Sequence, residues 1–260
     1  MHLREAGSGP PLLLLHGWTC HGGFFDDLAA RLSADARVIA PDLPGHGLTP
    51  RDAHPLTIEG AADACAALLA ARGLRDVVVV GWSMGAAVAW SMIARHGTGR
   101  LKALVVEEMS PRVLNDATWR LGMRHGLDAA GNAIVLERMR ARWEATAAAV
   151  IEGVFAEGIA PDPALLAPFV RDVPRADPDA MAALWASLTA QDFRGLLPEI
   201  GIPVVVAYGE GSRLYAPEVA RWQVERLPFG RLAPFARSGH APHLEEAEAF
   251  AGMVRGVLSC

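Results

Sequence analysis

Cysteine is scarce in this chain: three residues, Cys20, Cys65 and Cys260, stand far apart. That spacing suits neither a disulfide framework nor a zinc site, which needs ligand pairs a few residues apart; it fits reduced thiols in a cytoplasm. Basic charge is short as well, with 24 Lys and Arg against 29 Asp and Glu and a net charge of −5, so the overall field does not favour nucleic acid. Long apolar runs are missing too. The first, Pro11–Leu15, follows a Gly/Ser/Pro turn cluster and is too short for a signal-peptide core or a membrane span, so neither export nor membrane attachment is expected. What the chain has is apolar content, 52% hydrophobic against 20% charged residues, enough to offset the conformational entropy of folding. Its 260 residues fit a single α/β unit carrying an insertion.

Short continuous apolar runs punctuate the sequence. Leu12–Leu15, Val38–Ala40, Val77–Val80, Leu101–Val106 and Val204–Ala207 have the length of strands buried on both faces, as in a parallel sheet. Between them Phe25–Leu32, Ile58–Ala71 and Met84–Arg95 read as helices, the second opened by Thr57 as N-cap. The β-α-β-α alternation predicts an α/β fold with a mostly parallel sheet. From Pro111 to Gly195 the rhythm breaks into Ala-, Arg- and Trp-rich helical stretches with repeated prolines. The expected organisation is a core of residues 1–110 and 196–260 with a helical cap over 111–195.

The chemistry concentrates at Gly81-Trp82-Ser83-Met84-Gly85, which follows four valines and precedes a helix. Gly-x-Ser-x-Gly between strand and helix holds a serine on a sharp turn; the glycines are needed because strand and helix approach closely there. The next helix lends backbone N–H groups and a positive dipole end for an oxyanion. Near the C-terminus, Ser238-Gly239-His240-Ala241-Pro242-His243 puts His240 in a loop before a helix expected from His243 to Val257. Histidine is the side chain that most readily takes up and gives back a proton near neutral pH, so His240 is the candidate base for Ser83, and His243 its rival.

His16-Gly17-Trp18 ends the first apolar run and Asp42-Leu43-Pro44-Gly45-His46-Gly47 follows the second. With the serine turn, these resemble the α/β-hydrolase fold over nearly the whole chain. The resemblance implies a serine nucleophile at Ser83, His240 as base, and an oxyanion hole from the backbone N–H groups of Trp18 and Met84, with His16 orienting that loop. Haloalkane dehalogenases and epoxide hydrolases of this fold carry Asp where this chain has Ser83. The chain departs from its relatives at the acid: the usual Asp position, after Val204–Tyr208, holds Ser212, which cannot stabilise an imidazolium by charge. The alternative position lies at the end of the preceding strand, Glu107-Glu108-Met109-Ser110-Pro111. Two carboxylates there are costly unless paired, and strand alternation lets one of them face the site. Relatives ending this strand in Asp-x-x-Pro select Glu108 as the acid, with Glu210 as the alternative and Glu107 expected to pair with a cap arginine.

Leu-His-Gly-Trp at 15–18 and the serine turn are similar to carboxylesterases that demethylate pimeloyl-carrier-protein methyl ester and dock an acidic carrier on a basic cap. Arg120, Arg124, Arg138, Arg140 and Arg142, against Asp128 and Glu137, permit such docking, as they permit a merely solvated helix face. Trp119, Trp143 and Trp185 are candidates for an acyl pocket or for packing of cap on core. The expected substrate is a small-molecule ester or one bound to acyl carrier protein, hydrolysed without metal or cofactor by a monomer or homodimer. A lactonase or carbon–carbon bond hydrolase would use the same residues, and a noncatalytic binding protein is the reading from another class.

Overall fold

A computed structural model describes residues Met1–Cys260. Seven strands form one sheet in the order β1-β3-β2-β4-β5-β6-β7: β1 (Leu3–Ala6), β2 (Pro11–Leu15), β3 (Arg37–Pro41), β4 (Val77–Trp82), β5 (Leu101–Glu107), β6 (Val204–Gly209) and β7 (Gly230–Phe235). β1 pairs antiparallel to β3 and every other pairing is parallel. Because β4 and β6 are buried along their whole length, both are continuous apolar runs with no polar alternation.

Helices α1 (Asp26–Leu32), α2 (Ile58–Ala71) and α3 (Met84–His96) connect the first strands. Thr57 caps α2 by accepting the Gly60 N–H at 2.9 Å. Between β5 and β6 the chain adds α4 (Ala129–Ala141), α5 (Trp143–Val154), α6 (Pro163–Asp172) and α7 (Pro178–Thr189), and α8 (Pro217–Val224) joins β6 to β7. The C-terminal helix expected from His243 is two: α9 (Pro242–Glu245) and α10 (Ala247–Ser259). Glu246 breaks them apart with φ −126° and ψ 50°, its carboxylate drawn to the Arg237 N–H and the Ser238 hydroxyl.

Two strands escape the apolar-run criterion for a physical reason. β1 is a four-residue edge strand, and β7, on the opposite edge, alternates exposure and contains Pro234, which is tolerated there because an edge does not need every N–H. The chain runs from β2 to β3 on one side and then to β4 on the other, so the crevice at the carboxyl ends of β2 and β4 is the topological switch point where α/β sheets bind ligands.

Close approach fixes that crevice. A Cβ on Gly85 would sit 2.0 Å from the Leu15 carbonyl oxygen and one on Gly81 2.6 Å from the Ala86 nitrogen. Backbone cannot yield there as a flexible side chain would, so Gly85→Ala should lower stability by about 3 kcal/mol. Urea unfolding of the variant measures this; a loss below about 1 kcal/mol would contradict the tight β2–α3 contact.

Candidate active site

Ser83 lies between β4 and α3 with φ 53° and ψ −120°, a backbone state that side chains rarely adopt and that turns the residue sharply out of the sheet. Its N–H is fixed by the Glu107 carbonyl at 2.8 Å. The side chain reaches a cavity of about 400 Å³ that is largely apolar, with Trp18, Met139, Trp185 and Leu214 in its wall and Ser83 and His240 together in the lining. Its size falls in the usual range for small-molecule sites, roughly 300–1,000 Å³.

His240 follows β7 and is held on both sides of its peptide. Its N–H donates to the Val154 carbonyl at 2.7 Å, and its own carbonyl accepts the Trp82 indole N–H at 2.6 Å. Glu245 takes the Gly239 N–H on one oxygen and the Ala156 N–H on the other, at 2.7 and 2.9 Å. The loop carrying His240 is therefore tied to the end of α5 and the residues after it. Burial pushes the Glu245 carboxyl above its usual range.

The carboxylate that meets His240 is Glu108, 3.3 Å from Nδ1. Glu108 also accepts the Gly209 N–H at 2.8 Å and the Ser212 hydroxyl at 2.7 Å. Ser212 thus donates to the Glu108 carboxylate; its place after β6 is legible in the sequence, its donor role is not. Burial raises the Glu108 pKa, while the His240, Ser212 and Gly209 donors draw it back. Glu210 is exposed and its side chain makes no hydrogen bond or ion pair to His240. Ser83 and His240 are not joined by a hydrogen bond; they share the cavity, a looseness usual in unliganded sites.

Glu107 corrects an expectation. It bonds no arginine: its Oε1 accepts both the backbone N–H and Nδ1 of His243 at 2.8 Å, with both side chains fully buried. Both carboxylates at the end of β5 are therefore paired with histidines from the segment after β7.

The N–H groups of Trp18 and of Met84, the residue after Ser83, are taken by no backbone carbonyl in the turns and loops. His16 orders the loop: Nδ1 donates to the Gly17 carbonyl at 2.8 Å and Nε2 accepts the Leu43 N–H at 2.9 Å. His46, part of the Asp42–Gly47 turn but assigned no role there, accepts the Thr19 N–H and packs edge-on against His16 with ring centroids 4.9 Å apart. Thr19 itself has φ 69°. Trp18 meets the Trp143 ring edge to face and the Trp185 ring at a tilt, with centroids 6.0 and 5.0 Å apart. Of the three tryptophans considered for the pocket, Trp185 lines it; Trp143 donates to the Pro174 carbonyl, and Trp119 packs away from the cavity on Trp222. Of the five arginines, Arg124 is engaged, donating to the Ser212 carbonyl at 2.5 Å. No cluster of His, Cys, Asp or Glu is arranged to hold a metal ion, and no helix is long and apolar enough to cross a membrane.

The model of the alpha/beta hydrolase family matches residues 12–253. The chain belongs to that family. It is 33% identical to the pimeloyl-[acyl-carrier protein] methyl ester esterase of Chromobacterium violaceum, over 96% of this chain and 94% of that protein. The protein of the same name from Nitrosomonas europaea is 29% identical, over 96% of each chain. Among solved structures, an esterase from Exiguobacterium antarcticum superposes with a TM-score of 0.89 at 22% identity, covering 100% of this chain and 95% of that one; at that identity the likeness speaks to fold alone.

Burial holds the His16 pKa down at about 3 and that of His46 well below its ordinary 6.5. Both rings are neutral when folded, whereas the unfolded chain binds protons near 6.5. Each ring's contribution to stability is therefore complete above pH 6.5 and is lost as pH falls, for His16 down to about 3, at about 1.4 kcal/mol per pH unit per ring. A ¹⁵N NMR titration of the imidazoles from pH 8 to 4.5 should leave both unprotonated; titration of either near 6.5 would contradict this role.

Proposed function

We propose that this protein is a cytoplasmic serine esterase that hydrolyses a short- or medium-chain acyl ester, with pimeloyl-carrier-protein methyl ester as the best-supported substrate. The observation that carries the reading is Ser83, on a strained turn, sharing an apolar cavity with a histidine whose far nitrogen meets a buried carboxylate. Near-full-length similarity to the two methyl ester esterases supports the substrate class.

In this reading, Ser83 Oγ attacks the ester carbonyl as His240 Nε2 takes its proton. The oxyanion draws on the free N–H groups of Trp18 and Met84, already oriented before substrate arrives. Glu108 holds the Nδ1–H tautomer and stabilises the imidazolium. A carboxylate whose ionised form is disfavoured by burial gains most from a positive charge appearing 3.3 Å away. His240 then protonates the departing alcohol, and water, activated by the same ring, releases the acid from Ser83. Residues 111–195 act as the cap that closes the acyl pocket through Met139 and Trp185.

An acidic carrier has a place to dock. Arg138, Arg140 and Arg142 are exposed at the end of α4, form no ion pair within the chain, and stand on the same helices that line the cavity through Met139 and Thr146. Solvated surface arginines contribute little to folding, so their replacement leaves the core intact.

Wild-type protein should hydrolyse p-nitrophenyl esters and carrier-linked pimeloyl methyl ester, and Ser83→Ala should lose both by at least about 10⁴-fold. Reversing Arg138, Arg140 and Arg142 to Glu should raise KM for the carrier-linked ester at least tenfold and leave p-nitrophenyl butyrate unaffected. An active Ser83→Ala variant would overturn the mechanism; absence of any turnover by wild type would favour a noncatalytic binding protein.

A further inference from the structure

The end of β5 carries a second buried Glu–His pair beside the one assigned to proton transfer. Glu107 Oε1 holds two donors of His243, its backbone N–H and Nδ1, each at 2.8 Å. The Glu108–His240 contact is longer, at 3.3 Å. Glu107 Oε2 and His243 Nε2 are buried without a hydrogen-bond partner, an arrangement that apolar packing alone would not require. The pair also occupies a junction. The Glu107 carbonyl fixes the Ser83 N–H at 2.8 Å, so one residue grips the serine turn through its backbone and the histidine loop through its side chain. Trp82 closes the triangle: its ring lies 4.8 Å from that of His243, and its indole N–H holds the His240 carbonyl at 2.6 Å.

We propose that Glu107 and His243 are positioning residues that set the distance between Ser83 and His240. The inference rests on the proposed Ser83–His240–Glu108 mechanism. Ser83 and His240 are not bonded to each other at rest, so their spacing is imposed from outside the pair, and Glu107 is the residue in contact with both supports. Hydrogen bonding does the positioning. A carbonyl oxygen in place of the carboxylate can still accept both His243 donors, whereas a hydrocarbon cannot.

The test is steady-state hydrolysis of p-nitrophenyl butyrate by Glu107→Gln, Glu107→Leu, His243→Asn and His243→Leu, with each variant's cooperative melting and near-UV circular dichroism recorded. A displacement near 1 Å at the reacting atoms costs about 100-fold. Glu107→Leu and His243→Leu should therefore lose about 100-fold in kcat with KM within threefold of wild type. Glu107→Gln, and His243→Asn, whose amide donor falls where Nδ1 stood, should return to within tenfold. If the leucine variants do not fold, His243→Asn against His243→Gln decides, because the Gln amide reaches the Nε2 position instead; the Asn variant should be the faster by at least tenfold. Wild-type kcat in folded leucine variants overturns the proposal, as does equal kcat in the Asn and Gln variants. Fluorophosphonate labelling of wild type separates the two levels: a labelled Ser83 upholds the mechanism whatever the variants do, and an unreactive Ser83 removes the ground for both.

Discussion

The buried carboxylate of Glu108 is the constraint around which the rest of the site is arranged. An ionised oxygen pair at the end of an interior strand is costly unless donors surround it, and here three converge from three places: Gly209 at the end of β6, the Ser212 hydroxyl beyond it, and His240 after β7. Each donor fixes a loop as well as satisfying the carboxylate. Ser212 also accepts the N–H groups of Leu214 and Tyr215, so the loop that lines the cavity through those two residues takes its shape from the same oxygen. The carbonyl of Ser212 in turn receives Arg124 from the segment before α4.

Backbone strain gathers at the same place. Of the four non-glycine residues with positive φ, Thr19, Ser83 and Glu108 follow β2, β4 and β5 at their carboxyl ends, and Asp76 alone stands elsewhere, turning the chain into β4. Each such residue costs on the order of 1–3 kcal/mol. The parallel strands beneath, buried on both faces, are rigid enough to hold three of them at one crevice. The loop after β2 is kept by two neutral histidines, the serine turn by the Glu107 carbonyl, and the Glu108 turn by its donors.

Legibility in the sequence followed how local each cause was. Strands buried on both faces announced themselves as apolar runs, and the serine turn was readable because glycine is required at both close approaches, Gly81 and Gly85. The edge strands β1 and β7 were silent because an edge imposes no apolar period. Glu108 is singled out by the strand-end resemblance, Ser83 and His240 by their motifs, but not the partner of Glu107: His243 lies 136 residues away, and nothing local distinguishes a carboxylate aimed at a buried histidine from one aimed at a surface arginine. Arg124, expected on a face that docks a carrier or is merely solvated, meets the Ser212 carbonyl 88 residues away. The donor role of Ser212 needs the fold of two loops at once.

The measurement that bears most directly on this account is kcat for ester hydrolysis in Glu108→Gln beside Glu210→Gln. An amide at 108 keeps the size of the side chain and removes the charge proposed to steady the imidazolium, so kcat should fall by about 10³–10⁴-fold, while Glu210→Gln should match wild type. A crippled Glu210→Gln with an active Glu108→Gln would contradict the account and move the acid to the loop after β6.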